Sequence, residues 1–408
     1  MEIFIPNGIA QSWQERVEEM KNLPLNEPFS PIVLSFLNDL SKKILKDTTL
    51  RRLPELVATG YWLRKAQIND IKKRFDNLKG DKLLLPRGVV LHFAPSNVDS
   101  IFIYSWVLSM LAGNKNIIRI SRQQNEQIQI LLEIIGELLE DKKYTSIAAQ
   151  TLVLSYEHSE EISSFLSSHC HTRVIWGGDE TVKAIRAIPL VPLATELVFA
   201  DRFSSIAFNV KAVITASEEE MQKLFHSFYN DAYWFQQMAC SSPKCVYWIG
   251  DQTIVTEAQK RFWNGFQNYL IENETDLPPA LSMIRKSTSY YYAAHSYTEK
   301  ITTNFQSNRP IKIQVKEVTD HMREMHCGAG LFFEVSVKEL RGLSNFITDK
   351  EQTLSYYGFT KMQLAEWVYS VPGRGIDRIV PVGQALSFHD IWDGYNLLLY
   401  FTREVNIQ

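Results

Sequence analysis

Residues 87–121 read "RGVVLHFAPSNVDSIFIYSWVLSMLAGNKNIIRIS". Inside this stretch "GVVLHF" is a short apolar, β-branched run of the length of a buried strand. Residues 98 to 112 are apolar on nearly every side and stop at Gly113, the pattern of a buried helix with a glycine at its end. "NIIRIS" then reads as a second strand. A strand, a helical crossover and a further strand make a βαβ unit, and such a crossover brings the second strand in parallel to the first.

The alternation continues toward the carboxyl end. Residues 123 to 140 read as a helix, "TLVLS" as a strand, 159 to 168 as a helix, "TRVIW" as a strand and 180 to 187 as a helix, followed by "ELVF" and "SIAFNV". Repetition of this kind predicts an α/β fold built on a doubly wound parallel sheet. Before it, "QSWQERVEEMKNL", "PIVLSFLNDLSKKIL" and "LPELVATGYWLRKAQINDIKKRF" carry apolar residues at helical spacing. Residues 1–80 are therefore expected to be a helical part of the same domain, and 81–212 its sheet.

A second region begins near residue 211. "TASEEEMQKLFHSFYNDAYWFQQMAC" opens with a capping box, Ser217 with Glu220, and continues with an apolar stripe from Met221 to Phe235. The spacing predicts one helix that delivers the chain to Cys240. "KCVYWIG" follows as a strand, 251 to 275 reads as helix, and 311 to 317 and 331 to 337 read as strands. Residues 213–370 are expected to form a second α/β domain carrying Cys240. The remaining segment, 371–408, is rich in Gly and Pro and closes on the strand-like "LLLYFTREV"; it is expected to pack back on the core or to form an oligomer interface.

Composition bounds what such a chain does. Its 408 residues exceed what one hydrophobic core organises, and 45% apolar with 22% charged residues is ordinary for a globular protein. The formal charge of −3 and the scattered lysines and arginines give no footprint for nucleic acid, which favours a small-molecule partner. "IFIYSWVLSMLAG" is the longest apolar run, too short for the roughly 20 residues that span a bilayer. The start, "MEIFIPNGIAQSWQERVEEMK", has neither the basic residues nor the apolar run of a secretion signal. Four cysteines in so long a chain make no disulfide framework, so free thiols in a reducing, cytoplasmic compartment are expected.

Candidate chemistry gathers where strands end. Pro95 and Asn97 lie between the first strand and its helix, the edge at which open α/β sheets carry their sites. Asn97 can cap the helix, or its amide can donate to a developing oxyanion. Arg119 and Arg122 close the next strand, as solvated charges or as phosphate binders. "VIWGGDETVKAI" puts Trp176, Gly177 and Gly178 after a strand, with Asp179 placed to cap the helix that follows. Two glycines there let a phosphate approach a helix amino terminus, and a plain strand-to-helix turn has the same pattern. No G-x-G-x-x-G follows a strand, so the standard dinucleotide fingerprint is absent.

Other chemistries have weaker signals. His169, Cys170 and His171 are adjacent, and His321, His326 and Cys327 form a loose second group, but neither has the spacing of a metal site, and no metal is expected. No G-x-S-x-G supports a serine hydrolase. "FQQMACSSPKC", residues 235–245, leaves Cys240 open between a packed core thiol and a nucleophile. A cysteine at a helix carboxyl end meets negative potential, which disfavours its thiolate. Activation would have to come from elsewhere: the backbone N–H groups of Ser241 and Ser242, the Asn97 amide or a bound cofactor.

"RGVVLHFAPSNV", "AGNKNIIRIS", "VIWGGDETVKAIR", "QQMACSSPKC", "QTLSYYG" and "GIDRIVPVGQALSFHDIWDG" occur in an order that resembles the LuxC-type acyl-CoA reductases, a branch of the aldehyde dehydrogenase superfamily. The resemblance spans roughly residues 85 to 405, and "ACSSP" and "DRIVPVGQAL" are its most specific pieces. It implies an aldehyde dehydrogenase-like fold, with a Rossmann-like doubly wound cofactor domain, a second α/β catalytic domain and assembly as a homo-oligomer. Cys240 then falls at the nucleophile position and Asn97 at the oxyanion donor. Arg119 falls where dehydrogenases carry a lysine that contacts the cofactor ribose. Arg122 replaces the glutamate that accepts ribose hydroxyls in NAD-preferring members, and an arginine suits a 2′-phosphate, which implies NADPH. Pro95, Trp176, Gly177 and Gly178 fall in loops lining the cofactor.

The region matching the Glu-Leu-Gly-Gly-Lys stretch of oxidising dehydrogenases reads "ELVFADRFSSIAF", so Glu196 lacks the context of a hydrolytic base. The implied activity is reduction of an acyl-CoA or acyl-protein thioester to an aldehyde, with an acyl-protein synthetase as a partner. Two alternatives stay open: an acyltransferase that stops at the S-acyl enzyme, and a non-catalytic binding protein of the same fold.

Overall fold

The computed structural model describes residues 1–6, 12–95, 101–122, 124–273, 277–303 and 309–408. It divides into two compact units, one of residues 1–200 with 388–408 and one of residues 201–387.

The first unit is built on a six-stranded sheet. Its spatial order is Glu2–Ile5, Thr151–Ser155, Lys115–Arg119, Val89–Phe93, Thr172–Trp176 and Thr195–Phe199. The five strands after Glu2–Ile5 run parallel, as the helical crossovers require, and the first pairs antiparallel with Thr151–Ser155. Val89–Phe93, Thr151–Ser155 and Thr172–Trp176 are buried at every position, because helices cover both faces of such a sheet. From Val89–Phe93 the chain steps outward to Lys115–Arg119 and Thr151–Ser155, then returns past its starting strand to Thr172–Trp176. That reversal makes a topological switch point between the carboxyl ends of Val89–Phe93 and Thr172–Trp176.

The helical prelude belongs to this unit. Helix Pro31–Lys46 buries Val33, Phe36, Leu37, Leu40 and Ile44 at helical spacing, and Phe36 packs edge-on against Trp106 and Tyr144. The stretch from residue 53 to 75, which reads as one helix, is two, Pro54–Trp62 and Lys65–Lys79. Two strands that periodicity does not disclose are Glu2–Ile5 and Leu83–Pro86; the second pairs antiparallel with Thr402–Val405. "LLLYFTREV" is a helical turn followed by a strand, because the Asn396 side chain accepts the Leu399 N–H (3.1 Å) and caps Leu397–Tyr400.

The second unit holds a seven-stranded sheet in the order Thr298–Thr302, Ile311–Val315, Leu331–Val337, Cys245–Ile249, Phe203–Asn209, Glu351–Tyr357 and Arg378–Pro381. All neighbours are parallel except the antiparallel edge strand Thr298–Thr302. Side chains alternate between two cores: Cys245, Tyr247 and Ile249 enter one, Val246 and Trp248 the other. The second core is aromatic, with Phe228, Phe262, Trp263 and Phe266 in mutual contact.

Sequence periodicity sets the domain boundary at 212, whereas the units part at residue 200. The strand Phe203–Asn209 explains the shift, since both its neighbours lie in the second sheet. The segment 371–408 is likewise divided: Arg378–Pro381 extends the second sheet, and 388–408 belongs with the first unit. No helix among the described residues is long and apolar enough to cross a membrane.

Candidate active site

The helix leading toward Cys240 begins as its sequence predicts. Ser217 Oγ accepts the Glu220 N–H (3.3 Å) and Glu220 Oε2 accepts the Ser217 N–H (2.7 Å). It ends earlier than predicted, at Tyr233. Gln236 and Gln237 take left-handed backbone angles, φ 53° and 63°, which a right-handed helix cannot contain. Fully buried, the Gln237 side chain then braces the loop. Its Nε2 donates to Pro243 O (2.8 Å) and Leu331 O (2.9 Å), and its Oε1 accepts the Gly330 N–H (2.9 Å).

Cys240 consequently lies in a turn, closed by the Ser242 N–H on Ala239 O (3.1 Å), and not in the last turn of a helix. The macrodipole fades within one turn of a helix end, so the electrostatic objection to a thiolate at this position does not apply. The Ser242 N–H, one of the expected activating donors, is engaged in closing the turn.

Three neighbours define the thiol's surroundings. Gln352, buried in the strand Glu351–Tyr357, directs Nε2 at Cys240 Sγ from 3.4 Å. Ser204, at the start of Phe203–Asn209, donates from Oγ to Cys240 O (2.6 Å) and accepts the Thr353 N–H (3.2 Å). Lys244, four residues on, is lowered by burial, and the charges of Asp201, Cys240 and Glu351 oppose that shift. A cation within electrostatic reach of a thiol favours the thiolate.

The other thiols differ. Burial raises Cys170 to about 12 and Cys245 well above the usual thiol range, and it raises the half-buried Cys327 as well. Cys245 is a core residue, as expected of a strand position facing the apolar cluster.

Histidines in the two loose groups have packing roles. His171 Nδ1 accepts the Val89 N–H (3.0 Å), and His169 stacks on Phe165 with centroids 4.2 Å apart. His326 Nδ1 accepts the Gly328 N–H (3.0 Å) and Nε2 faces Leu331 O (3.0 Å), which selects the Nε2–H tautomer; burial keeps the ring far below its usual pKa. Among the described residues no group of three His, Cys, Asp or Glu side chains is arranged to hold a metal ion. Glu196 is paired with Arg173 and with Arg186 (3.0 Å), a role within the first sheet.

The predicted cofactor residues are gathered at one edge of the first unit. Pro95 follows Val89–Phe93, Arg119 ends the neighbouring strand with the Ala94 N–H on its carbonyl (2.9 Å), and Trp176, Gly177 and Gly178 follow on the other side of the switch point. Trp176 itself is buried, stacked on Phe199 with centroids 3.7 Å apart, and its Nε1 donates to Ser105 Oγ (3.3 Å). Gly178, not Asp179, is the N-cap of helix Asp179–Arg186; no side chain caps that end, and a Cβ at Gly178 would meet nothing within 4 Å. The first turn does carry Asp179 and Glu180, which weakens its attraction for an anion. Arg119 lies over the Tyr156 ring and bonds Tyr156 O (3.3 Å), while Arg122 is exposed and pairs with Glu157. Asn97 lies outside the described residues.

Sequence reasoning missed Ser204, Lys244 and Gln352 as neighbours of the thiol and Gln237 as the brace of its loop. Gln352 does open "QTLSYYG", one of the stretches carrying the family resemblance, so a signal existed without a role attached.

The fold is that of an aldehyde dehydrogenase-like α/β protein. Solved structures similar over 96% of this chain include betaine aldehyde dehydrogenase from Staphylococcus aureus (TM-score 0.65, 10% identity, 87% of that chain). A second is an NAD-dependent benzaldehyde dehydrogenase from Corynebacterium glutamicum (TM-score 0.61, 11% identity, 87% of that chain). Within that fold, the sequence profile of the acyl-CoA reductase (LuxC) family matches residues 6–404, and the chain belongs to that family. A curated relative, the long-chain acyl-protein thioester reductase of Aliivibrio fischeri, is 25% identical over 169 residues; the match spans 41% of this chain and about a third (33%) of the relative.

Proposed function

We propose that this protein reduces a long-chain acyl thioester, carried on CoA or on a protein, to the aldehyde with NADPH, through an S-acyl intermediate on Cys240. The observation that carries this reading is the contrast among the thiols: three are held protonated by burial, while Cys240 has an amide donor at its sulfur and a lysine within electrostatic reach.

In this reading the Cys240 thiolate attacks the thioester carbonyl carbon, and the carbon–sulfur bond to the donor breaks as the donor thiolate leaves. The Asn97 amide stabilises the oxyanion formed on the way. Bound NADPH supplies a hydride to the acyl carbon. The resulting thiohemiacetal oxyanion collapses: its carbonyl re-forms as the carbon–sulfur bond breaks, the aldehyde departs and Cys240 returns as thiolate. With Glu196 engaged by Arg173 and Arg186, no general base for hydrolysis of the S-acyl enzyme is drawn from that position.

The residues at the switch point fit a dinucleotide. Gly177 and the uncapped, open Gly178 suit a pyrophosphate at a helix amino terminus, Arg119 suits the ribose, and the exposed Arg122 suits a 2′-phosphate in exchange for Glu157. A partner that fits is an acyl-protein synthetase supplying the activated acyl group; the Aliivibrio relative is named for an acyl-protein thioester substrate.

The test mixes purified protein with long-chain acyl-CoA or an acyl-protein and NADPH, following nicotinamide absorbance and intact mass. NADPH consumption with aldehyde release is expected, and Cys240→Ala should abolish both. An acyl adduct without NADPH loss would make the protein an acyltransferase. Neither adduct nor NADPH loss would make it a binding protein.

A further inference from the structure

The strand Glu351–Tyr357 carries an irregularity opposite the Cys240 loop. Glu351 pairs with Phe203 and Leu354 with Ser205, so three steps on one strand face two on the other. The extra residue is a β-bulge at Gln352 and Thr353. Bulges re-aim side chains and recur beside active sites. Here it falls in a run of buried polar and charged residues, Glu351, Gln352 and Thr353.

The bulge is pinned from the neighbouring strand. Ser204 lies between the two paired positions, accepts the Thr353 N–H and donates to Cys240 O, so one hydroxyl ties the bulge to the cysteine turn. At 3.4 Å the Gln352 Nε2 is within hydrogen-bond distance of Sγ, on an enclosed side chain whose conformational freedom folding has already removed.

We propose that Gln352 is the positioning residue for Cys240: its amide N–H, aimed by the bulge, holds the sulfur in one orientation and stabilises it as a thiolate, both before attack and when the aldehyde departs. The inference rests on the reading of Cys240 as nucleophile. Gln352 exchanges no proton, and an amide donor to an anion gains strength from the charge it faces. Lys244 acts on the same sulfur through space. The other titratable and charged groups around the loop are Asp201 and Glu351, which face Lys244, Arg202 and Arg323, which face Glu351, and His326, which is neutral.

The test measures alkylation of Cys240 by iodoacetamide against pH, located by peptide mass, in the wild-type protein and in Gln352→Met and Gln352→Glu. Met keeps the length and removes the donor, and its midpoint should rise by about one pH unit, with roughly tenfold slower alkylation at pH 7. Glu brings a carboxylate to the sulfur and should raise the midpoint further. An unchanged midpoint in folded Gln352→Met overturns the proposal. Should that variant not fold, an unchanged or lowered midpoint in Gln352→Glu does so. Alkylation needs neither acyl donor nor nicotinamide, so loss of the reductase reading would show as absent turnover with the pH profile intact.

Discussion

Gln237 and Gln352 have the same side chain and opposite duties. One satisfies three backbone groups and keeps the loop in shape; the other reaches the sulfur. Replacing Gln237 by Ala would leave the carbonyl of Pro243 and the N–H of Gly330 buried without this partner, while the Leu331 carbonyl keeps the His326 Nε2–H. It would also keep a left-handed backbone that alanine does not favour. A buried polar group left unpaired costs about 1–3 kcal/mol. Gln237→Ala should therefore lower unfolding free energy in urea by about 3 kcal/mol, with slower alkylation of Cys240 in the protein that remains folded. A loss below about 0.5 kcal/mol, the range of ordinary surface changes, would show that the brace is dispensable. Both glutamines lie in stretches that carry the family resemblance, yet neither shows its role there, because a polar side chain takes that role from partners far along the chain.

Two glycines show how differently elements use the same residue. Gly383 lies in the "VPVGQAL" motif at φ 90°, and its N–H donates to Asp231 (2.7 Å), as does that of Ala385 (2.8 Å). A Cβ there would fall 2.9 Å from Ser227 Cβ, on the helix that leads to the cysteine loop. Arg378 donates to the carbonyls of Gln384, Ala385 and Ser387, closing the same turn. One of the two most specific pieces of the resemblance thus fastens its own turn to a helix of the same unit. Gly178, at φ −65°, opens onto empty space instead. Gly383→Ala should cost about 1–3 kcal/mol in chemical denaturation, for strain and clash. Gly178→Ala should cost well under 1 kcal/mol yet weaken NADPH binding in calorimetry, because the new methyl fills the approach to the helix end. Equal cofactor affinity in Gly178→Ala and wild type would place the pyrophosphate elsewhere.

Across the molecule, two buried titrating groups respond to pH in opposite senses, one in each unit. His92 in the first unit bonds Ser105 Oγ (2.8 Å) and Asn116 Oδ1 (3.0 Å), and burial lowers it to about 4. An unfolded His92 gains its proton near 6.5, so its stabilisation is complete above that pH and is lost as pH falls toward 4. Glu351 in the second unit is raised to about 7 by burial, against the pull of Arg323 and Arg202. Its contribution is complete below about 4.5, its unfolded value, and is lost as pH rises through 7. His92→Gln should narrow the stability gained between pH 5 and 7 by on the order of 2 kcal/mol, and Glu351→Gln should widen it, both read by urea unfolding. Shifts of the same sign in the two variants would contradict these assignments.

What the sequence by itself determined about this protein is the succession of βα units, the capping box at Ser217 and the glycine turn after Trp176. These depend on neighbours a few residues apart, so periodicity and local hydrogen bonding suffice to specify them. Tertiary structure decided the pairings of Glu2–Ile5 with Thr151–Ser155 and of Leu83–Pro86 with Thr402–Val405, and the unit boundary at residue 200. It likewise decided the end of the cysteine helix at Tyr233 and the bulge that turns Gln352 toward the thiol. Each joins residues remote in the chain, and a local pattern holds no record of which distant backbone or sulfur will complete a hydrogen bond.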